Sequence, residues 1–198
     1  MTNQYFSQNP DVESDRRTWT FPIRGYSLTF TTDNGVFSKN EVDFGSRLLI
    51  DTFTLPAVDG DILDLGCGYG PVGIALAKDF PDRNIIGVDI NQRALELANE
   101  NARQNDVKNV SFLESDIFSE IKEKKFAAIL TNPPIRAGKQ VVHQMLEDSK
   151  EALLYGGELS VVIQKKQGAP SAQKKLEELF SEVEVVAKKK GYFIFRAK

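Results

Sequence analysis

A single cysteine and a single histidine stand among the 198 residues. One thiol cannot close an intrachain disulfide, and one thiol with one imidazole cannot build a Cys/His zinc cluster, so no metal site is expected. No apolar run approaches the ~20 residues that span a bilayer. The opening stretch MTNQYFSQNP has no basic segment leading into an apolar one, so no secretory signal is visible. Internal repeats and low-complexity tracts are absent as well. These absences predict a soluble, cytoplasmic protein without a membrane partner.

What is present suits one folded domain. A hydrophobic share of 41% with 27% charged residues excludes wholesale disorder. The net charge is only −3, from 25 basic and 28 acidic residues, but it is unevenly spread. From Ile163 onward the bases are Lys165, Lys166, Lys174, Lys175, Lys188, Lys189, Lys190, Arg196 and Lys198. The acids there are Glu177, Glu178, Glu182 and Glu184, so this segment is +5 and the remainder −8. Two readings fit. The lysines form a face for a polyanion, or they keep an exposed helix and sheet edge soluble and unpaired.

Two regions separate by pattern. Residues 1–56 form an extension, predicted as a β-hairpin and a helix packed on the core. In it Tyr26–Thr31 alternates as a strand, Asp33-Asn34-Gly35 reads as a hairpin turn, and Phe44–Phe53 has helical spacing. Residues 57–198 alternate strand and helix. Strands are predicted at 61–65, 84–89, 109–113, 126–130 and 158–163, and helices at 71–80, 91–105, 139–154 and 170–180. Val183–Val186 and Tyr192–Arg196 look like a closing antiparallel pair. The pattern predicts an α/β fold, a doubly wound, Rossmann-like and mostly parallel sheet of seven strands whose last strands are antiparallel. Ligands of such sheets bind beyond the carboxyl ends of the strands.

Four loops at those ends carry chemistry. In Asp64-Leu65-Gly66-Cys67-Gly68-Tyr69-Gly70-Pro71, glycines at 66, 68 and 70 let a backbone without Cβ atoms pass beneath a ligand. Gly68 to Gly73 also matches G-x-G-x-x-G, which admits a dinucleotide site. Asp64 ahead of the glycines suits a cationic amine or sulfonium better than a pyrophosphate. Cys67 is a small filler in this loop. Asp89, followed by Ile90, is placed to accept the hydroxyls of a ribose, or to act as a charge at a helix start. Asp116 is placed to accept from an adenine amino group with Ile117 against the ring, or else Ser115 or Asp116 caps a turn. Asn132-Pro133-Pro134 follows the strand at 126–130. Its two prolines fix the turn, leaving the Asn132 amide oxygen and the Pro133 carbonyl as rigid acceptors for both hydrogens of an exocyclic NH₂. Read alone, it is also an ordinary turn.

Together these loops resemble a class I S-adenosylmethionine-dependent methyltransferase, and Asn-Pro-Pro resembles the branch that methylates amino nitrogens. Tyr5-Phe6-Ser7, Gly35-Val36-Phe37-Ser38, Asp43-x-Gly45-Ser46, the Asp64–Gly70 loop, Thr131–Lys139 and Val162–Ala169 resemble the ribosomal RNA small subunit methyltransferase C family, in its single-domain form. The resemblance implies S-adenosylmethionine as cofactor, held by Asp64, Gly66, Cys67, Gly68, Gly70, Asp89, Ile90, Asp116, Ile117 and Asn132. It implies catalysis at Asn132, Pro133 and Pro134 and, as partner, small-subunit ribosomal RNA methylated at a guanine N2. Many amino-methyltransferases follow Asn-Pro-Pro with an aromatic residue that stacks on the base; here Ile135 stands there. Phe37 is a candidate substitute or a core residue. Arg136 and Lys139 meet a phosphate or base edge, or belong to a solvated loop. The rivals are a protein-amide methyltransferase, an NAD-dependent oxidoreductase and a non-catalytic RNA-binding protein.

Overall fold

The computed structural model describes residues 13–198, so Tyr5-Phe6-Ser7 lies outside the described residues. In chain order the elements are β1 (Arg17–Ile23), β2 (Tyr26–Thr32), α1 (Phe44–Thr52), β3 (Ile62–Leu65), α2 (Pro71–Asp79), β4 (Ile85–Asp89), α3 (Gln92–Gln104), β5 (Val110–Glu114) and β6 (Phe126–Thr131), followed by α4 (Lys139–Ala152), β7 (Leu153–Gln164), α5 (Ala169–Leu179), β8 (Val183–Lys189) and β9 (Tyr192–Ala197). β1 and β2 form a hairpin of their own, and the other seven strands form one sheet ordered β5-β4-β3-β6-β7-β9-β8. β3 pairs in parallel with both β4 and β6, while β9 runs antiparallel between β7 and β8. The expected seven-stranded, mostly parallel sheet is therefore present.

Burial explains why the central strands are apolar throughout. Every residue of β3 and β6 is buried, because helices cover both faces. One face packs against α1, α2, α3 and the hairpin, through residues such as Phe30, Leu49, Ile74 and Ala98. The other packs against α4 and α5, through Met145, Leu146 and Leu176. The strand order reverses between β3 and β6, and a crevice opens at their carboxyl ends, where Leu65 pairs with Thr131.

The hairpin turn is not where the sequence pattern placed it. The chain reverses at Arg24-Gly25, both at positive φ (49° and 82°), and pairs Ile23 with Tyr26. A two-residue turn of this hand follows the strand twist. Arg24 is held there by Asp79 and by the Ile50 and Phe53 carbonyls. Asp33 instead anchors the chain before β1, accepting from Ser14 Oγ and the Asp15 amide. A second difference lies at β7, which begins at Leu153 rather than near 158 and shifts register against β6 between Phe126 and Ala128.

Two asparagines one helical turn apart, Asn101 within α3 and Asn105 at its end, tie the hairpin to that helix. Asn101 on α3 accepts from the Thr31 amide (2.7 Å) and donates to the Thr31 and Tyr69 carbonyls. Asn105 does the same for Thr29. Their side-chain amides complete the free edge of β2, which would otherwise expose unpaired backbone groups.

Candidate active site

The crevice holds a cavity of about 270 Å³ walled by the loops after β3, β4, β5 and β6. Its floor is the glycine loop. A Cβ built at Gly66 or Gly68, both at positive φ, meets nothing within 4 Å, so the loop is an open cradle. Gly70 has another purpose. A Cβ there would sit 3.0 Å from Ile74 and Phe112 and 3.2 Å from Ala98, and it lies off the cavity wall. Gly70 is therefore a packing glycine at the start of α2, with φ of 92°.

Both carboxylates beneath the cradle are held by backbone. Asp64, 2% exposed, accepts from the Gly73 amide in the first turn of α2 at 2.9 Å. Burial raises its pKa to about 7 against the pull of that hydrogen bond, and nearby Asp89 adds to the rise. Asp89 accepts from the Gly68 amide at 2.8 Å and the Asn91 amide at 2.9 Å, so it braces the cradle from β4. Burial also pushes the Asp89 carboxyl upward, opposed by these backbone donors. Cys67 between them is buried, and burial with the two carboxylates pushes its thiol well up, away from a reactive thiolate.

On the third loop the structure shows which residue caps the turn. Ser115 does the capping: its Oγ donates to the Ile117 carbonyl and accepts from the Glu120 amide. Asp116 is exposed, and its carboxylate accepts no hydrogen bond among the described residues. It lines the cavity with Ile117, whose φ of 54° is strained for a β-branched residue.

The fourth loop is held from a distance. The Asn132 amide nitrogen donates to Ser46 Oγ (3.1 Å) and approaches both Asp43 carboxylate oxygens (3.4 Å each). Asp43 is the N-cap of α1 and accepts from the Gly45 and Ser46 amides. A carboxylate only accepts, so the nitrogen of the Asn132 amide must face it. The Asn132 oxygen is left as an acceptor with no partner among the described residues. Asp43, Ser46, Asn132 and Pro134 all line the cavity. In the sequence, Asp43 and Ser46 stand out only within the Asp43-x-Gly45-Ser46 stretch of the resemblance, and nothing local ties them to Asn132.

The remaining predicted residues separate. Phe37, 54% exposed, lines the cavity, as does Ile90. Pro133 is buried beneath the loop and off the cavity wall, and Ile135 packs against the α4–α5 side of the core. Arg136 and Lys139 are exposed and also off the wall. His143 bonds Ser171 Oγ at 3.0 Å, linking α4 to α5 outside the cavity.

Comparison with known proteins places this geometry. A family model described as "Methyltransferase small domain" matches residues 27–196. The chain belongs to this family. It is a class I S-adenosylmethionine-dependent methyltransferase by fold and by relatedness. An uncharacterized Bacillus subtilis protein, YbxB, is 61% identical over 100% of this chain and 99% of its own length. An Escherichia coli ribosomal RNA small subunit methyltransferase C is 31% identical over 96% of this chain. Among solved structures, the T. thermophilus 16S rRNA N2 G1207 methyltransferase RsmC, in complex with AdoMet and guanosine, superposes with a TM-score of 0.82 at 27% identity over 96% of this chain. The chain spans about half of these methyltransferase C relatives, 54% and 52% of their lengths.

The residues present in this small-domain methyltransferase fit the family's cofactor. The cradle at Gly66 and Gly68 leaves room for a bulky group close to backbone, and Asp64 and Asp89 line the same cavity as acceptors of the kind a ribose and a sulfonium need. Among the described residues no group of three or more His, Cys, Asp or Glu is arranged to hold a metal, and no helix is long and apolar enough to cross a membrane.

Proposed function

We propose that this chain methylates an exocyclic amino nitrogen, guanine N2 in small-subunit (16S) ribosomal RNA, in the cytoplasm. The observation that carries the reading is the fixed Asn132 amide, whose oxygen is kept free at the cavity by Asp43 and Ser46. Relatedness to the methyltransferase C proteins supports the RNA substrate.

S-adenosylmethionine, when bound, supplies an electrophilic methyl group on a sulfonium. Asp64, Gly66, Cys67, Gly68, Asp89, Ile90, Asp116 and Ile117 would hold it, with Gly70 acting through the packing of α2. The chain's part in the chemistry is positioning. The Asn132 oxygen accepts a hydrogen of the amine, directs its lone pair and stabilises the positive charge that grows on nitrogen. Pro133, buried off the cavity wall, and Pro134, on it, act by keeping this acceptor from relaxing. Because Ile135 packs against the core, Phe37 on the cavity wall is the aromatic available to stack on an extruded base, and the exposed Arg136 and Lys139 would meet phosphate. Residues 1–56 are read as an extension of the 57–198 domain, and from its described part Asp43 and Ser46 reach the cavity.

The test is tritiated methyl transfer from S-adenosylmethionine to naked rRNA, assembled small subunits and total protein, with nucleoside mass spectrometry. N2-methylguanosine in rRNA is the expected product. Label in a glutamine side chain would move the reading to a protein-amide substrate. Label in none of the three overturns the proposal.

A further inference from the structure

The surplus positive charge of the C-terminal segment is not spread over it. Of its nine bases three are paired, Lys175 with Glu147, Arg196 with Glu184 and Lys198 with Glu182, and Lys174 stands exposed on α5 away from the rest. Those last two pairs sit at the Val183 and Ala197 end of the β8–β9 hairpin. At the other end, Lys188, Lys189 and Lys190 are exposed and pair with no carboxylate among the described residues. Lys165 and Lys166 join them, because the Lys165 amide donates to the Gly191 carbonyl at 2.7 Å and Gln164 pairs with Tyr192. Five uncompensated lysines therefore converge on the carboxyl end of β7.

This tip is connected to the acceptor side of the cavity. The Lys190 ammonium lies 4.8 Å from the centre of the Phe44 ring, and Arg47 covers the same ring at 5.5 Å. Phe44 packs on Tyr192, with ring centres 5.5 Å apart. Phe44 directly follows Asp43, which faces the Asn132 amide. Lysines alone are compatible with a merely soluble edge. Five of them, unpaired, gathered where the β8–β9 turn meets the segment after β7 and beside the Phe44–Tyr192 pair, match a strand of phosphates with an unstacked base.

We propose that Lys165, Lys166, Lys188, Lys189 and Lys190, with Phe44 and Tyr192 at their base, form a docking surface for the backbone of single-stranded RNA. It would hold the nucleotides flanking the target while the target base enters the cavity. The proposal rests on the rRNA reading above.

The test is equilibrium binding of a 16S rRNA fragment to the full chain across a salt series, without cofactor, alongside methyl transfer to the same RNA. The variant is K188Q/K189Q/K190Q, and the control is K108Q/K124Q/K125Q, which removes equal charge at the amino-terminal end of the parallel strands. The tip variant should weaken RNA binding about tenfold or more and lower the slope of log affinity against log salt by about 2, since each single-strand phosphate contact contributes roughly 0.7. Its S-adenosylmethionine affinity and thermal midpoint should match wild type, and the control should bind RNA as wild type does. Equal RNA affinity and salt slope in the tip variant would overturn the docking surface. So would no RNA binding by wild type, or lysine-dependent binding to anionic lipid vesicles in its place. RNA binding that depends on the tip without methyl transfer would uphold the surface and overturn the rRNA methylation reading.

Discussion

The two walls of the cavity are built by opposite means. On the β3–β4 side, Asp64 and Asp89 are bonded to amides of their own strand–helix units or the adjacent one, at sequence separations of 9, 21 and 2 residues. On the β6 side, Asn132 is oriented by Asp43 and Ser46, 89 and 86 residues away. One wall is held by backbone close in sequence, the other by side chains delivered by α1. A change in the first should therefore alter cofactor binding and stability, and a change in the second should alter turnover.

Asp64 gives the largest effect. Its folded pKa of about 7 lies above the usual carboxylate value, so the folded chain holds this proton more tightly than the unfolded chain. Stability from this group is present at low pH and is lost as pH rises from about 4 through 7. Asp64→Asn keeps an acceptor for the Gly73 amide and removes the titration. Between pH 4 and pH 8 the variant should gain roughly 4 kcal/mol on wild type in denaturant unfolding. Parallel pH profiles of the two proteins would contradict the buried-acid account.

Next comes Asn132→Ala, expected to lower turnover by roughly a hundredfold or more while S-adenosylmethionine affinity stays near wild type. Near-normal turnover removes Asn132 from the reaction. Asp89→Ala acts on the opposite wall. It should weaken S-adenosylmethionine by about 1–3 kcal/mol in calorimetry, by losing a ribose acceptor and releasing the Gly68 amide. Unchanged affinity would show that the cradle stands without its brace.

The smallest effect sharpens the contrast most. Ser46→Ala removes one hydrogen bond to the Asn132 amide and should reduce turnover by about tenfold at most, near 1 kcal/mol, with cofactor affinity unchanged. Asp43→Ala should add a stability loss of about 1 kcal/mol from the missing helix cap. If Ser46→Ala weakened cofactor binding and left turnover alone, the division between the walls would be wrong.

Much of this is legible in the amino-acid sequence. The strands at Ile62–Leu65 and Phe126–Thr131 are short apolar runs between helical patterns, and such runs must lie in a covered parallel sheet. The glycine loop, the acid after β4 and Asn-Pro-Pro after β6 are local signals, and each of those loops reaches the cavity. Gly70 shows the limit of that reading. It has the same signature as Gly66 and Gly68, yet only the proximity of Phe112 and Ala98, from β5 and α3, makes it a packing residue. The hairpin shows another. Asp33-Asn34-Gly35 is as good a turn signal as Arg24-Gly25, and the choice was made by Asn101 in α3, Asn105 at its end and Asp79 in α2.

The amino-acid sequence by itself determined the sheet, the order of its loops and the residue types at its carboxyl edge, because periodicity and turn chemistry act over a few residues. The tertiary structure decided which carboxylates are buried, which way the Asn132 amide faces and where the unpaired lysines gather. Those depend on groups brought together from distant parts of the chain, and a burial or a hydrogen bond exists only once both partners are in place.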